Sequence, residues 1–256
     1  MVSSLADDGR FNIRIDQKSI RILVLDGRTS GEIEEEWSNK IGAGELDSVA
    51  IIWFGHDELV QPQSYKKYTK IEDARKFASS YGFGARFRKS GGGLVPQGDG
   101  ILNFSIIFRT ELNASELAAD VYLYLGSIIK RTFSYFGMET NFREVPQAFC
   151  DGKYNLATLH QGVIKKIVGT AQYWKKYNKT NVVLAHALIL ISIDRVKLCS
   201  LLNGYEEKLG SDTFYDANSI VDFSTLYAEK NTSILNVNVI KELFVNELIN
   251  QINGGL

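Results

Sequence analysis

The sequence has 256 residues, of which 45% are hydrophobic and 11% aromatic; this composition excludes a wholly disordered chain and provides for one large core. The formal net charge of -1 argues against a nucleic-acid-binding protein, because such proteins usually carry a strong basic excess. The longest apolar run, Val182–Ile193, contains His186 and Ser192 and is too short to span a bilayer. Met1–Arg10 has no apolar core of a secretion signal, so we expect a cytoplasmic protein.

The first half of the chain combines strand and helix patterns. Apolar, β-branched runs predict strands at Ile20–Asp26 and Ser48–Phe54. Between them, the acidic segment Gly31–Ile41 has a mild helical pattern. Apolar residues at helical spacing predict an amphipathic helix over Lys70–Tyr81, which is followed by two glycines that end it.

The second half predicts more strands than helices. Helices are expected at Leu112–Phe136 and Asn236–Ile252. Strands are expected at Ile101–Phe108, Leu156–Leu159, Val163–Thr170 and Val182–Ile193. Because strands and helices do not alternate strictly, the pattern favours a single α+β domain over residues 1–256, with a mixed, largely antiparallel sheet flanked by helices.

A basic, glycine-rich segment extends from Arg86 to Gly93 (R-F-R-K-S-G-G-G). Successive glycines let the backbone approach a ligand closely. Their N–H groups can hold an anion beside Arg86, Arg88 and Lys89. A plain hairpin corner accounts for the same residues equally well, and the spacing fits neither a P-loop nor the dinucleotide fingerprint.

The sequence has two cysteines, Cys150 and Cys199, and nothing else indicates the oxidising compartment that a disulfide would need. Cys150 precedes a turn-forming Asp-Gly pair, which can expose a thiol at a chain corner. A nucleophilic cysteine must act as the thiolate, and Lys153, Lys165 and Lys166 could supply the stabilising charge. A buried structural role is commoner for a free cysteine, and it is the expected one for Cys199.

Lysines also interrupt the β-branched segment Gly162–Gln172 (G-V-I-K-K-I-V-G-T-A-Q). A lysine in such a strand either projects into solvent or holds an anionic or carbonyl group. The solvent-facing lysine of an edge strand is the commoner case.

Taken in order, these segments resemble the biotin/lipoate protein ligase and octanoyltransferase superfamily over about residues 20–250. The residues that carry the resemblance are Arg88, Ser90, Gly91 and Gly92 for R-x-S-G-G; Gly100–Ser105 for G-x-L-N-x-S; Lys166, Gly169, Ala171 and Gln172 for the acyl-binding lysine motif; and Val183–Leu190 for the strand after it. The resemblance implies a fold like that of biotin ligases and class II aminoacyl-tRNA synthetases.

Within the superfamily, Phe149-Cys150-x-Gly-x-Tyr-x-Leu looks like the octanoyltransferases and the octanoyl/lipoyl relay amidotransferases, whereas ATP-dependent ligases generally lack this cysteine. The resemblance implies that Cys150 is the acyl-thioester nucleophile and that Lys166 holds the acyl carbonyl and helps to keep the thiolate ionised. The two groups are expected to meet at the mouth of a narrow acyl tunnel, walled by a glycine loop that donates N–H groups to the oxyanion. The expected substrate-binding residues are Arg88, Ser90, Gly91, Gly92, Gly93, Asn103, Gly169, Thr170 and Gln172.

The implied reaction transfers an octanoyl or lipoyl group and requires no further cofactor. The implied donor is an acyl carrier protein or a lipoylated protein like the glycine-cleavage H protein, and the implied acceptor is a lysine of a lipoyl-domain protein. No nucleic-acid or membrane partner is expected.

The main alternative is an ATP-dependent lipoate–protein ligase that uses ATP and Mg²⁺, with Arg88 and the glycine loop on the adenylate. The ligase loop usually reads R-R-x-S-G-G-G-x-V-x-H-D. Here Phe87 replaces the first arginine of the pair, and Pro96–Gly98 stands in place of x-His-Asp. These departures, and the lack of room for the accessory C-terminal domain of many ligases, favour the transferase. A third alternative is a degenerate binder of lipoyl domains or acyl chains, against which the retained Cys150 and Lys166 argue.

The histidines are not expected in the catalytic set. His186, within an apolar run, is expected to be a satisfied core residue, and His160, in a loop, is expected to face solvent. No metal site is expected, because two cysteines and three histidines lie scattered without ligand spacing.

Overall fold

A computed structural model describes residues 13, 20–29, 31–89, 91–231 and 235–254. The strands of these ranges, numbered in chain order, are β1 (Arg21–Thr29), β2 (Ser48–Gly55), β3 (Glu58–Pro62), β4 (Gly84–Arg88), β5 (Val95–Gln97), β6 (Ile101–Thr110), β7 (Asn141–Phe142), β8 (Leu156–His160), β9 (Val163–Tyr177) and β10 (Thr180–Leu190). The helices are α1 (Glu32–Ala43), α2 (Ile71–Ser80), α3 (Ala114–Tyr135), α4 (Arg195–Leu209), α5 (Phe223–Lys230) and α6 (Val237–Asn253), with short 3₁₀ turns at Gln63–Lys67 and Ala217–Ser219.

The strands form a seven-stranded sheet and a three-stranded sheet. The larger sheet has the order β1-β2-β6-β10-β9-β8-β7, in which β1 pairs parallel to β2 and the other pairs are antiparallel. In the smaller sheet, β3 pairs parallel to β4 and antiparallel to β5. The predicted α+β class with a mixed, largely antiparallel sheet is therefore confirmed.

The two faces of the larger sheet bury different side chains, as alternation along a strand requires. On β2, Ala50 and Ile52 belong to a core that also includes residues of α3 and α6, whereas Val49 and Ile51 pack with Trp37 of α1. A third apolar cluster joins the smaller sheet to α2 and α4. No helix in the described ranges is long and apolar enough to cross a membrane.

Local signals explain where the helices begin and end. Asn113 and Glu116 form a reciprocal capping box at the start of α3, so this helix begins close to its predicted start. Gly44 and Gly210 follow α1 and α4 in the left-handed conformation (φ 83° and 77°), which glycine adopts without steric cost.

The predicted elements lie within a few residues of the observed ones, except that β9 continues to Tyr177 and β10 ends at Leu190 rather than Ile193. The prediction missed β3, β4, β5, β7, α4 and α5. The missed strands have two to five residues, too few to show a periodicity. In α4, Gly204 interrupts the apolar helical pattern. Glycine is needed at this position because a Cβ there would lie 2.3 Å from the Phe77 ring of α2.

Candidate active site

A cavity of about 300 Å³ lies between the larger sheet, the start of α1 and the smaller sheet. Its walls come from α1, β2, β3, β4, β5, β9 and β10, together with Phe149 and Cys150 of the loop before β8. Leu184 and Leu188 of β10 and Val60 and Val95 of the smaller sheet give the walls an apolar character. Such a space suits a small ligand with a hydrocarbon chain.

The loop that carries Cys150 is held in an unusual conformation. Cys150 is half-buried and has φ 46°, in the left-handed region that few non-glycine residues adopt. The Asp151 carboxylate accepts hydrogen bonds from the N–H groups of Val145 and Gly152, each at 2.9 Å. Asn155 Nδ2 donates to the Cys150 carbonyl at 3.2 Å. These hydrogen bonds hold Cys150 in a backbone conformation that costs free energy. Such conformations are often found at functional sites.

Arg88 places a positive charge beside the thiol. Its Nη2 lies 3.8 Å from Cys150 Sγ. The same nitrogen donates to the carbonyls of Gly91 (2.9 Å) and Gly93 (2.7 Å), and Nη1 donates to the Val60 carbonyl at 2.8 Å. Burial lowers the pKa of Arg88, but a guanidinium remains charged in proteins.

Of the three lysines proposed from the sequence as partners of the thiolate, Lys166 lines the cavity, whereas Lys153 and Lys165 do not. Lys153 Nζ is 5.3 Å from the centre of the Tyr154 ring. Lys165 does not line the cavity, and burial lowers its pKa. In the described part of the chain, the side chain in hydrogen-bonding reach of the sulfur is therefore Arg88. Sequence spacing could not reveal this pair, because 62 residues separate its members.

Lys166 fixes the main chain of the cysteine loop. Its side chain is 1% exposed, and Nζ donates to the carbonyls of Phe149 (2.6 Å) and Cys150 (2.8 Å). Burial lowers its pKa to about 8, although Cys150 and Asp151 act in the opposite direction. Lys166 and Cys150 both line the cavity. The hydrogen bonds of the Lys166 amine are to the backbone carbonyls of Phe149 and Cys150 and not to the thiol.

The glycine loop packs behind the sulfur and does not form the tunnel wall that was expected. Gly92 has φ 106°, and a Cβ there would lie 2.6 Å from Cys150 Sγ. Gly91, Gly92 and Gly93 are not among the residues that line the cavity, and their place there is taken by Phe87 and Arg88 of β4. Ser90 lies outside the described residues.

The remaining predicted binding residues differ in how they relate to the cavity. Gly169, Thr170 and Gln172 of β9 line it. The Thr170 hydroxyl donates to the Tyr154 carbonyl at 2.9 Å, and Gln172 Nε2 donates to the Ala118 carbonyl of α3 at 2.6 Å, so both side chains also hold the structure together.

Asn103 is fully buried and does not itself line the cavity. Its side-chain amide pairs with that of Gln97 through two hydrogen bonds of 2.8 and 2.9 Å. Gln97 does line the cavity. Asn103 therefore supports the wall through Gln97.

The expectation that His160 faces solvent was wrong, and His186 has hydrogen-bond partners as expected but lines the cavity instead of lying in the core. His160 is the last residue of β8; it is 5% exposed, and its Nε2 lies 2.9 Å from a Glu229 oxygen. His186 lines the cavity, with Nδ1 2.6 Å from Glu34 Oε1 of α1. In each case the acidic partner is remote in sequence and leaves no local pattern.

The expectation for Cys199 is confirmed. It is a free, buried thiol on α4, and burial raises its pKa to about 11. Cys150 is also free. Within the described ranges, no group of three or more histidine, cysteine or acidic side chains could hold a metal ion.

Comparison with known proteins identifies the family to which this chain belongs. Residues 26–243 match the family described as the lipoyl protein ligase A/B catalytic domain, and the chain belongs to this family. An uncharacterised protein of Cupriavidus necator is 36% identical over 187 residues, which are 70% of this chain and 74% of that protein.

A second relative and a solved structure carry functional names. An octanoyl-[GcvH]:protein N-octanoyltransferase of Kyrpidia tusciae is 32% identical over 137 residues, and the match spans 50% of this chain but only 45% of the transferase. The bipartite lipoate protein ligase of Thermoplasma acidophilum, studied with its E2 lipoyl domain, has a TM-score of 0.58 at 14% identity over 91% of this chain and 84% of its own. That structural likeness shows the fold alone.

Proposed function

We propose that the protein is an acyltransferase that carries an octanoyl or lipoyl group on Cys150 and passes it to a lysine of a lipoyl-domain protein. The observation that carries this proposal is the half-buried Cys150 thiol, which lies 3.8 Å from the Arg88 guanidinium beside an apolar-walled cavity. An adjacent cation favours the thiolate, which is the nucleophilic form of cysteine.

In the first step, the Cys150 thiolate attacks the carbonyl carbon of an acyl thioester on a carrier protein or of an acyl-lysine amide on an H-like protein. A new carbon–sulfur bond forms and the bond from the carbonyl carbon to the donor's sulfur or nitrogen breaks. The donor leaves as a thiol or as a lysine amine after taking a proton. The acyl chain occupies the cavity between β10 and the smaller sheet. Arg88, whose Nη2 lies 3.8 Å from Sγ, stabilises the negative charge that moves from the sulfur to the carbonyl oxygen.

In the second step, a neutral lysine amine of the acceptor attacks the Cys150 thioester. The new amide bond forms, Cys150 leaves as the thiolate beside Arg88, and the amine loses its proton. We assign to Lys166 the task of holding the Phe149 and Cys150 carbonyls so that the sulfur keeps one position through both steps. Gly169, Thr170, Gln172 and Arg88 are the proposed contacts of the acyl group. The glycine loop supports Arg88 and Cys150, which it contacts.

The partners follow from the relatives as part of the same proposal. The name of the Kyrpidia tusciae protein gives an octanoyl group on GcvH as its donor, and the Thermoplasma acidophilum ligase was studied with a lipoyl domain. We therefore propose a lipoyl-domain acceptor and a donor that is either an acyl carrier protein or a glycine-cleavage H-like protein. We also propose that residues 1–256 act as one cytoplasmic catalytic domain and that the reaction needs neither ATP nor Mg²⁺.

Intact-mass spectrometry tests the proposal. The protein is incubated with octanoyl-acyl carrier protein or octanoylated H-like protein without ATP. We expect an added octanoyl mass that hydroxylamine removes, in the wild type and in Cys199→Ser but not in Cys150→Ser. Octanoyl-adenylate formation from octanoate, ATP and Mg²⁺, with activity retained in Cys150→Ser, would instead establish the ligase.

A further inference from the structure

A carboxylate of α4 lies buried behind the two loops that meet at the thiol. Glu206 is 0% exposed, and its Oε1 accepts hydrogen bonds from the hydroxyls of Tyr65 (2.6 Å) and Tyr215 (2.9 Å). Its other oxygen, Oε2, is buried without a hydrogen-bond partner among the described residues. Burying a carboxylate costs free energy that two hydroxyl donors offset only in part. Its presence here indicates a role that an apolar side chain could not fill.

The Tyr215 hydroxyl reaches the glycine loop directly behind the thiol. A Cβ at Gly93 would lie 3.9 Å from this hydroxyl and 3.8 Å from the main chain of Cys150. The Gly93 carbonyl accepts from Arg88 Nη2 at 2.7 Å, and the same nitrogen lies 3.8 Å from Cys150 Sγ. A displacement of the Tyr215 ring would therefore pass through Gly93 to the guanidinium and the sulfur.

Tyr215 is fixed to α4 at three points. Its backbone N–H donates to Asn203 Oδ1 at 2.8 Å, and its carbonyl accepts from Asn203 Nδ2 at 2.9 Å. The hydroxyl contact with Glu206 is the third, and residues three apart on a helix share a face. The next residue, Asp216, donates its backbone N–H at 3.0 Å to the carbonyl of Gln147, which has φ 62° in the cysteine loop. Tyr215 and Asp216 thus connect α4 to both loops of the site.

Tyr65 gives Arg88 a second support. It lies in the 3₁₀ turn that follows β3, and Val60 of β3 accepts from Arg88 Nη1 at 2.8 Å. Burial lowers the pKa of Arg88, whereas Cys150 and Tyr65 act in the opposite direction. Burial and the hydrogen bond to Glu206 raise the pKa of Tyr65, so its hydroxyl keeps the proton that it donates to the carboxylate. One carboxylate oxygen therefore orients both hydroxyls.

We infer that Glu206 is a positioning residue for the proposed acyl transfer and that it acts through Tyr65 and Tyr215. By accepting both hydroxyls it keeps Gly93 in place, and Gly93 keeps the guanidinium within reach of the Cys150 sulfur. Glu206 and the two tyrosines do not line the cavity, so they act without contact to the acyl group. This inference rests on the proposed function, since it takes the thiol to be the acyl carrier.

The rate at which iodoacetamide labels Cys150 at pH 7 tests the inference without any acyl donor. The thiolate is the form that reacts, and it is favoured by the nearby cation. Peptide mapping also gives the labelling of Cys199, which is buried on the same helix as Glu206. Labelling of Cys199 therefore reports any variant that unfolds, and Cys150 rates are compared where Cys199 stays protected.

Variants of the carboxylate separate its role as an acceptor from its role in packing. Glu206→Met keeps the volume and removes the acceptor, and it should slow the labelling of Cys150 by about ten- to a hundredfold. Glu206→Gln keeps one acceptor oxygen for both hydroxyls and should restore the rate to within about threefold of the wild type. Tyr215→Phe removes one of the two hydrogen bonds and should slow labelling by about three- to tenfold.

The matched control is Tyr205→Phe. Tyr205 is 0% exposed and belongs to the same apolar cluster as Tyr65 and Tyr215, but its hydroxyl donates to Gln61 at 2.7 Å. This variant also loses a buried hydroxyl and should label Cys150 at the wild-type rate within twofold. With octanoyl-acyl carrier protein as donor, Glu206→Met should lower the maximal transfer rate and leave the half-saturating donor concentration within twofold.

The inference is overturned if folded Glu206→Met labels Cys150 within twofold of the wild type, or if Glu206→Gln is as slow as Glu206→Met. If Glu206→Met does not fold, Tyr215→Phe carries the test, and a wild-type rate in that variant overturns the inference. Equal slowing by Tyr205→Phe and Tyr215→Phe also overturns it. Labelling requires no acyl donor, so these results stand apart from the octanoyl adduct of the wild type, whose absence would instead contradict the proposed function.

Discussion

The two cysteines of this protein show how surroundings divide one side chain between two roles. Cys150 is half-buried in a left-handed turn, 3.8 Å from a guanidinium and next to a cavity. Cys199 lies buried in α4, where burial raises its pKa to about 11. A thiol needs charge and access to be a nucleophile, and the fold gives both only to Cys150.

Removing each thiol in turn should produce the largest contrast. Cys150→Ala should reduce acyl transfer to a lipoyl domain by at least about a thousandfold, as is typical when a covalent nucleophile is lost. Cys199→Ala leaves the cavity intact and should transfer at a rate within twofold of the wild type. Steady-state rates of lipoyl-domain octanoylation measure both. Equal losses of transfer rate in the two variants would contradict the assignment of different roles to Cys150 and Cys199.

Alkylation should distinguish the same two thiols without any substrate. With a pKa of about 11, Cys199 is ionised in roughly one molecule in ten thousand at pH 7, and burial also shields it. Iodoacetamide should therefore label Cys150 at least about a hundredfold faster. Peptide mapping by mass spectrometry after timed quenching provides the two rates, and comparable rates in the folded protein would contradict the assignment.

Two neighbouring glycines test the packing behind the Cys150 sulfur. A Cβ at Gly92 would lie 2.6 Å from Sγ and would stand on a backbone with φ 106°, whereas a Cβ at Gly91 would meet no atom within 4 Å. Gly92→Ala should reduce transfer by about ten- to a hundredfold through displacement of the sulfur. Gly91→Ala should change it little. Measured rates that fall alike in both variants would show that the loop matters only as a flexible segment.

The smallest effect concerns Lys166 and the dependence of stability on pH. Burial lowers its pKa from 10.5 to about 8, so between these values the unfolded chain binds more protons at this site than the folded protein does. Its contribution to the free energy of unfolding should therefore increase as pH rises from 8 to 10.5.

Urea unfolding of the wild type and Lys166→Met at several pH values between 7 and 10.5 measures this contribution. The difference in free energy of unfolding between the two proteins should move in favour of the wild type across that window and stay level below it. A difference independent of pH would show that the amine is not held in a desolvated site.

The sequence predicted the large elements and the segments that meet at the site, for clear reasons. The apolar spacing in α3 gives its buried face of Leu117, Val121, Tyr124, Leu125 and Ile128. Cys150, Lys166 and Arg88 were found because they lie in short local motifs. Such motifs can be recognised in the sequence because their residues are only a few positions apart.

Contacts between distant segments could not be predicted in this way. The approach of Arg88 to Cys150 and the pairing of Glu34 with His186 join residues 62 and 152 positions apart. His186 was expected in the core because its neighbours are apolar, but alternation along β10 turns it towards the cavity with Leu184 and Leu188. Glu34 of α1, the acidic partner of His186, lies in a different element, so the sequence of β10 does not indicate it.

The transfer of an acyl group from isolated acyl-enzyme tests the central claim most directly. Protein octanoylated on Cys150 is separated from its donor and mixed with an excess of lipoyl domain in a rapid-quench instrument. If Cys150 carries the acyl group during catalysis, the octanoyl group should appear on the domain lysine at a rate at least equal to the steady-state turnover. An adduct that persists, or that passes to the domain more slowly than turnover, would contradict the account.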